Sequence, residues 1–164
     1  IGGGDGAKDR LIPDAIRAFS KGQSLAVRNP SAIRPWQHVL DPLSGYLCLC
    51  EHLYERGQEF SSGCNFGPDE QSMVSVSDVL AKVVAVFGRD VGFHSTSGEK
   101  TPHEATLLRL DASKAKDEMG WQPQWQLDTA IEETISWYCD YLDDKDMIDV
   151  TARQIEEYER GMCS

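Results

Sequence analysis

Residues 34–46 read Arg-Pro-Trp-Gln-His-Val-Leu-Asp-Pro-Leu-Ser-Gly-Tyr, and the periodicity changes inside this stretch. Ile33 to Val39 predicts a strand. Alternation places Arg34, Trp36 and His38 on one face and Pro35, Gln37 and Val39 on the other. Asp41-Pro42 then has the order of a helix start, a capping acid followed by proline. The helix LSGYLCLCEHLYER follows and stops at Gly57.

The same switching continues on both sides. Upstream, Leu11, Ile12, Ala15, Ile16 and Phe19 recur at helical spacing, with Asp9 as the expected cap and Gly22 as the stop. Ser24 to Val27 predicts a short strand, and Asn29-Pro30-Ser31 a turn. Downstream, Ser62 to Gly67 predicts a strand, and its centre, Cys64 to Phe66, is the most convincing parallel-type segment. Ser75 to Phe87 predicts a helix capped by Ser75 or Ser77 and ended by Gly88. Val91 to His94 is a weak strand and Thr106 to Leu110 a short extended piece. Asp111 to Met119 is a short helix capped by Asp111 or Ser113. Leu127 to Leu142 is a long amphipathic helix, and Asp146 to Met162 a largely polar one. Strand and helix alternate, so the class is α/β, mostly helical with a few short strands. Such a pattern ordinarily carries four or more good strands, so the sheet reads as cut. Residues 1–145 form the main unit and 146–164 a helical tail.

Composition excludes several functions. The 164 residues carry 27 acidic and 16 basic side chains, a net charge of −11. That balance repels phosphate backbones and argues against nucleic acid as partner. No apolar run approaches the roughly 20 residues that span a bilayer, so no membrane partner is expected. The five cysteines are odd in number and lack zinc-site spacing. Cys48 and Cys50 lie in an apolar helical stretch and predict core packing. Reduced thiols and a cytoplasmic location follow as expectations. The chain opens on Ile1 without a signal peptide and reads as the interior of a longer protein.

Candidate sites are few. Lys8, Arg10, Arg17, Lys21, Arg28 and Arg34 cluster in the first third. They suit a small phosphorylated ligand or stand as ordinary solvated charges. Gly2-Gly3-Gly4-Asp5 has neither the dinucleotide fingerprint nor the Gly-Lys-Ser/Thr of a P-loop, and reads as a flexible loop beside a ligand. Arg34 beside Trp36 has the planar fork that grips phosphate; alternatively it pairs with an acid such as Asp41 while Trp36 fills a core. His38 has the chemistry of a general base, but no Ser or Cys nucleophile accompanies it in a recognisable order. His94, His103 and Glu104 have the wrong spacing for zinc, and no metal is expected. Asn65-Phe66-Gly67-Pro68 sits where strands of α/β sheets end and ligands bind.

The ordered runs IGGGD…KDRLIPD, RPWQHVLDPLSGY, NFGP, LDASKAK and GWQP, closed by a long helix, resemble the extended short-chain dehydrogenase/reductase family, most nearly its CDP-glucose 4,6-dehydratase subgroup. The resemblance covers nearly the whole chain. It implies the C-terminal part of an NAD(P)-binding Rossmann-like fold, with the N-terminal Rossmann half missing. In that family a Tyr-x-x-x-Lys pair and NAD oxidise the sugar at C4, water leaves across C5 and C6, and hydride returns to C6. The resemblance places that pair in the N-terminal half, so it assigns no catalytic residue to this chain; the one Tyr-x-x-x-Lys spacing here, Tyr141 to Lys145, falls at the end of the long helix from Leu127. It implies a CDP-glucose-like nucleotide-sugar ligand contacted by Lys8, Arg10, Leu11, Arg34, Asn65 and Glu104. It implies NAD in the full-length family but none bound to this chain. An open sheet edge and apolar face predict a homo-oligomer. The alternative is a non-catalytic nucleotide-binding or oligomerisation module of the same descent.

Overall fold

The structure, a computed structural model, describes residues 1–96 and 105–162. Its first helix, α1 (Leu11–Phe19), forms because Ile12, Ala15, Ile16 and Phe19 share one face, and all four are buried. Asp9 does not cap it. The N-cap is Arg10, in extended conformation, while Asp9 turns the chain through the left-handed region at φ 61°. There follow β1 (Leu25–Val27), β2 (Ile33–Pro35), α2 (Leu40–Arg56), β3 (Met73–Ser75), α3 (Val76–Phe87), β4 (Phe93–Ser95), α4 (Ser113–Met119), α5 (Leu127–Leu142) and α6 (Met147–Met162).

The strands form two separate pairs. β1 runs parallel to β4 in the register Leu25↔Phe93 and Val27↔Ser95. β2 runs antiparallel to β3, Ile33 facing Ser75 and Pro35 facing Met73. Ile33 also bridges Leu107 in parallel, which uses the extended piece expected there. β3 was not foreseen, since three residues leading straight into a helix carry no readable period. Ser75 closes a capping box on α3: its Oγ accepts from Asp78 N at 3.1 Å, and Asp78 Oδ2 accepts from Ser75 N at 3.3 Å.

Two expected strands are corrected. The run from Ile33 leaves the ladder after Pro35; Trp36 N and Nε1 donate instead to Ser72 O (3.2 Å) and Val74 O (3.0 Å). The face shared by Arg34, Trp36 and His38 therefore does not persist. Residues 62–67 form no strand. A strand exists only where a neighbour satisfies its backbone groups, and here side chains do so. Gln37 Nε2 donates to Phe66 O at 2.9 Å, and Lys114 Nζ to Gly63 O at 3.3 Å.

The larger core joins α1, β1, α3 and α5 through residues such as Phe19, Leu80, Val83, Phe87, Ile131 and Ile135. A smaller one gathers Phe60, Phe66, Ala115, Met119 and Trp121 beside α2 and α4. α2 is turned opposite to its composition. Its buried residues are Asp41 and Gly45, while Tyr54 stands 93% exposed and Leu47 68%. Val39, Leu43 and Tyr46 are exposed with them, and so is Cys50. Cys48 is half-buried against the smaller core, so the packing expected of both cysteines holds for one.

Asp41 explains the inversion. The N-cap of α2 is Val39, and the Asp41 carboxylate turns inward. Its Oδ1 accepts from Gln124 N and from the Tyr158 hydroxyl of α6, each at 2.8 Å. Ser44 Oγ lies 3.0 Å from that hydroxyl and accepts from Trp121 Nε1 at 3.0 Å. The Trp125 ring fits between His38 (4.7 Å) and Tyr158 (5.2 Å). This junction ties the polar last helix to the body, and Tyr158 is 3% exposed.

Candidate functional site

α1, β1 and β2 leave an open cleft of about 530 Å³ between them. Arg10 and Leu11 line it at the entry to α1, Arg28 and Asn29 beyond the end of β1, and Arg34, Trp36 and Gln37 along and after β2. Apolar walls from Leu25, Val27 and Ala32 join these polar groups, the composition of a small-molecule site. The guanidinium of Arg34 is oriented by two backbone carbonyls: Nη1 donates to Ile33 O at 2.9 Å and to Ala105 O at 2.8 Å. Asp41, weighed as its ionic partner, is occupied by Gln124 and Tyr158 instead. Gln37 Oε1 is buried and has no hydrogen-bond partner among the described residues.

Of the residues assigned by resemblance, Arg10, Leu11 and Arg34 come together in this cleft. Lys8 is exposed and is not among the lining residues. Asn65 is not there either; its amide braces the loop before α4 through Asp111 O. Glu104 lies outside the described residues, as does His103. Arg28 and Gln37 also line the cleft without having been singled out as contacts. The basic cluster of the first third was the one signal for Arg28, and none pointed to Gln37.

His38 belongs to the interior. It is 1% exposed, its Nδ1 accepts from Leu40 N at 3.3 Å, and it is absent from the cleft wall. Burial lowers its pKa to about 3. Burial also raises the pKa of Asp41, opposed by its bonds to Gln124 and Tyr158. His94 Nδ1 lies 3.1 Å from Ser24 Oγ. Among the described residues no group of three His, Cys, Asp or Glu side chains forms a metal site, and no helix is long and apolar enough to cross a membrane.

The N-terminal glycines are corrected in role. A Cβ on Gly3 would fall 2.1 Å from Trp137 Cδ2, and one on Gly2 2.6 Å from Val39 Cγ1. These residues are small because α5 and α2 close on them. Gly2 and Asp5 still border the cleft, so the segment is beside the site but packed.

The profile of the family described as GDP-mannose 4,6 dehydratase matches residues 4–134. The chain belongs to that family. Its place is with the extended short-chain dehydrogenase/reductases. The CDP-glucose 4,6-dehydratase of Salmonella typhimurium is 44% identical over 158 residues, covering 96% of this chain and 44% of the relative. A UDP-glucuronic acid 4-epimerase variant from Bacillus cereus, solved with UDP-4-deoxy-4-fluoro-glucuronic acid and NAD, superposes with a TM-score of 0.71 at 16% identity, over 85% of this chain and 43% of that one. The dTDP-glucose 4,6-dehydratase of Bacillus anthracis, solved with NAD, gives 0.63 at 20% identity, over 80% and 39%. The chain thus spans less than half the length of these relatives.

Among the described residues, neither the turn after β1 nor the N-terminal glycines make a dinucleotide cradle. A dinucleotide site needs a parallel strand running through a glycine turn into a helix N-terminus. β1 is followed by Arg28-Asn29-Pro30-Ser31 and then by β2. The glycines at residues 2 and 3 are closed off by Val39 and Trp137.

Proposed function

We propose that this chain is the sugar-nucleotide-holding portion of an NAD-dependent dehydratase that converts CDP-glucose to CDP-4-keto-6-deoxyglucose and water, and that it works in the cytoplasm. The observation that carries the reading is the cleft, where Arg10 and Arg34 meet from separate elements beside an apolar wall. It is supported by 44% identity to a CDP-glucose 4,6-dehydratase across 96% of the chain. The two arginines take the diphosphate, Leu11 borders the base, and the buried Gln37 oxygen offers an acceptor to a ligand hydroxyl or amine. Lys8, Asn65 and Glu104 remain proposed contacts on the strength of the resemblance.

Calorimetry on the 164-residue chain is expected to register CDP binding, weakened at least tenfold by Arg34→Gln. No heat with CDP, or an unchanged affinity in the variant, counts against the cleft. The isolated chain, whose one Tyr-x-x-x-Lys spacing (Tyr141 to Lys145) lies away from the cleft and whose described residues make no NAD cradle, is expected to leave CDP-glucose unreacted. Dehydration is expected to return when the remaining half of a family member is supplied in trans with NAD. Turnover by the chain alone would overturn this division of labour.

The isolated chain is also proposed to self-associate, with a second copy covering α2. The stripe Val39, Leu43, Tyr46, Leu47, Cys50 and Tyr54 runs the helix's length, about 25 Å at 1.5 Å per residue. It carries no charge, so two copies meet there without repulsion despite the net −11. Sedimentation is expected to give a dimer or larger, reduced to monomer by Leu47→Glu with Tyr54→Glu. A wild-type monomer at tens of micromolar refutes the second copy.

A further inference from the structure

We infer that Arg28 is a phosphate-binding residue of the cleft, acting together with Arg10 and Arg34 on the diphosphate of the nucleotide. This rests on the proposed reading of the cleft and extends it to a residue that the family resemblance did not assign.

Three observations carry it. Arg28 follows Val27 directly at the carboxyl end of β1, a strand in parallel pairing, the edge at which α/β folds place their ligands. It lines the same cleft as Arg10 and Arg34. Its guanidinium makes no hydrogen bond or ion pair among the described residues, although the chain carries 27 acids against 16 bases. An arginine with a structural task in so acidic a chain would be expected to sit on one of those acids. Arg17 does so with Asp14, and Lys116 with Asp69 at 2.6 Å.

The backbone beneath Arg28 is held on both sides. Val27 O accepts from Thr96 N (2.9 Å) and Thr96 Oγ1 (3.3 Å). Beyond it, Asn29 O accepts from Ala32 N at 3.2 Å, and Pro30 O from Ser77 N at 2.8 Å. A long cationic side chain thus leaves a fixed point on the cleft rim, so little backbone order is lost on binding. Aspartates also border the cleft. Asp14 is neutralised by Arg17, while Asp5 and Asp9 remain on the α1 side. The β1 side has Arg28 without an acid beside it in the lining, so a diphosphate is drawn to that wall.

The test compares CDP, cytidine and inorganic pyrophosphate on the wild-type chain and on Arg28→Gln and Arg28→Lys, by calorimetry at two salt concentrations. Arg28→Gln is expected to weaken CDP and pyrophosphate about 10- to 100-fold, leave cytidine unchanged and flatten the salt dependence. Arg28→Lys is expected to recover part of the loss. Melting temperature is expected to stay at the wild-type value, because no intramolecular bond is removed. If Arg34→Gln weakens CDP and Arg28→Gln does not, the cleft reading stands and Arg28 is refuted. If the wild-type chain binds none of the three, both fall. Equal losses for cytidine and CDP would place Arg28 on the nucleoside and overturn the phosphate role.

Discussion

Tyr158→Ala is expected to destabilise the protein by about 4 kcal/mol and lower its melting temperature by about 10 °C. The ring is 3% exposed and meets Trp125 edge to face at 5.2 Å, so its removal leaves a cavity in the junction between α6 and α2. The hydroxyl donates to Asp41 Oδ1 at 2.8 Å, and Asp41 is itself fully buried. Losing that donor leaves the buried Oδ1 with the Gln124 N–H still donating to it, one bond short. Tyr158→Phe keeps the ring and deletes the bond, and is expected to cost about half as much, roughly 2 kcal/mol. Thermal melts of the two variants separate packing from hydrogen bonding. An alanine variant melting within about 2 °C of wild type would mean that α6 is no part of the cooperative unit.

Gly45→Ala is expected to destabilise by about 2 kcal/mol and lower the melting temperature by about 5 °C, against the sign that helix propensity alone predicts. Within a helix, alanine in place of glycine ordinarily gains about 1 kcal/mol. Here a Cβ would stand 2.3 Å from Phe66 Cδ1. Overpacking of this kind costs about 3 kcal/mol when the neighbour is unable to yield. Phe66 has little freedom: it is 6% exposed, lies edge-on to Trp121 at 5.0 Å, and its carbonyl is held by Gln37. The overpacking therefore outweighs the propensity. Gly63→Ala is the control, since nothing lies within 4 Å of its Cβ position. A Gly45→Ala protein that melts higher than wild type would show that the Phe66 ring gives way.

The local chemistry of the chain was legible wherever one segment settles its own conformation. The apolar spacing of Ile12, Ala15, Ile16 and Phe19, the Ser75 cap, the stop at Gly57 and the long helix from Leu127 all stand in the structure as read. Of the residues that the resemblance grouped, Arg10, Leu11 and Arg34 line one cleft while Lys8 and Asn65 do not. Arg28 was visible as a charge but not as a cleft residue, since only the folding of β1 against β4 aims it.

What the sequence by itself determined is the α/β class, the helices and the kinship, because periodicity, caps and motif order are written along the chain. The tertiary structure alone decided β3, where the other strands end, and the polar interior. Residues 62–67 have strand composition but find side chains where a strand would need a neighbouring backbone. α2 has an apolar stripe yet presents it outward, because Asp41 is drawn inward by Gln124 and by a tyrosine 117 residues away. Bonds between residues so far apart leave no period in the sequence, and they reversed the side of the helix that composition would have buried.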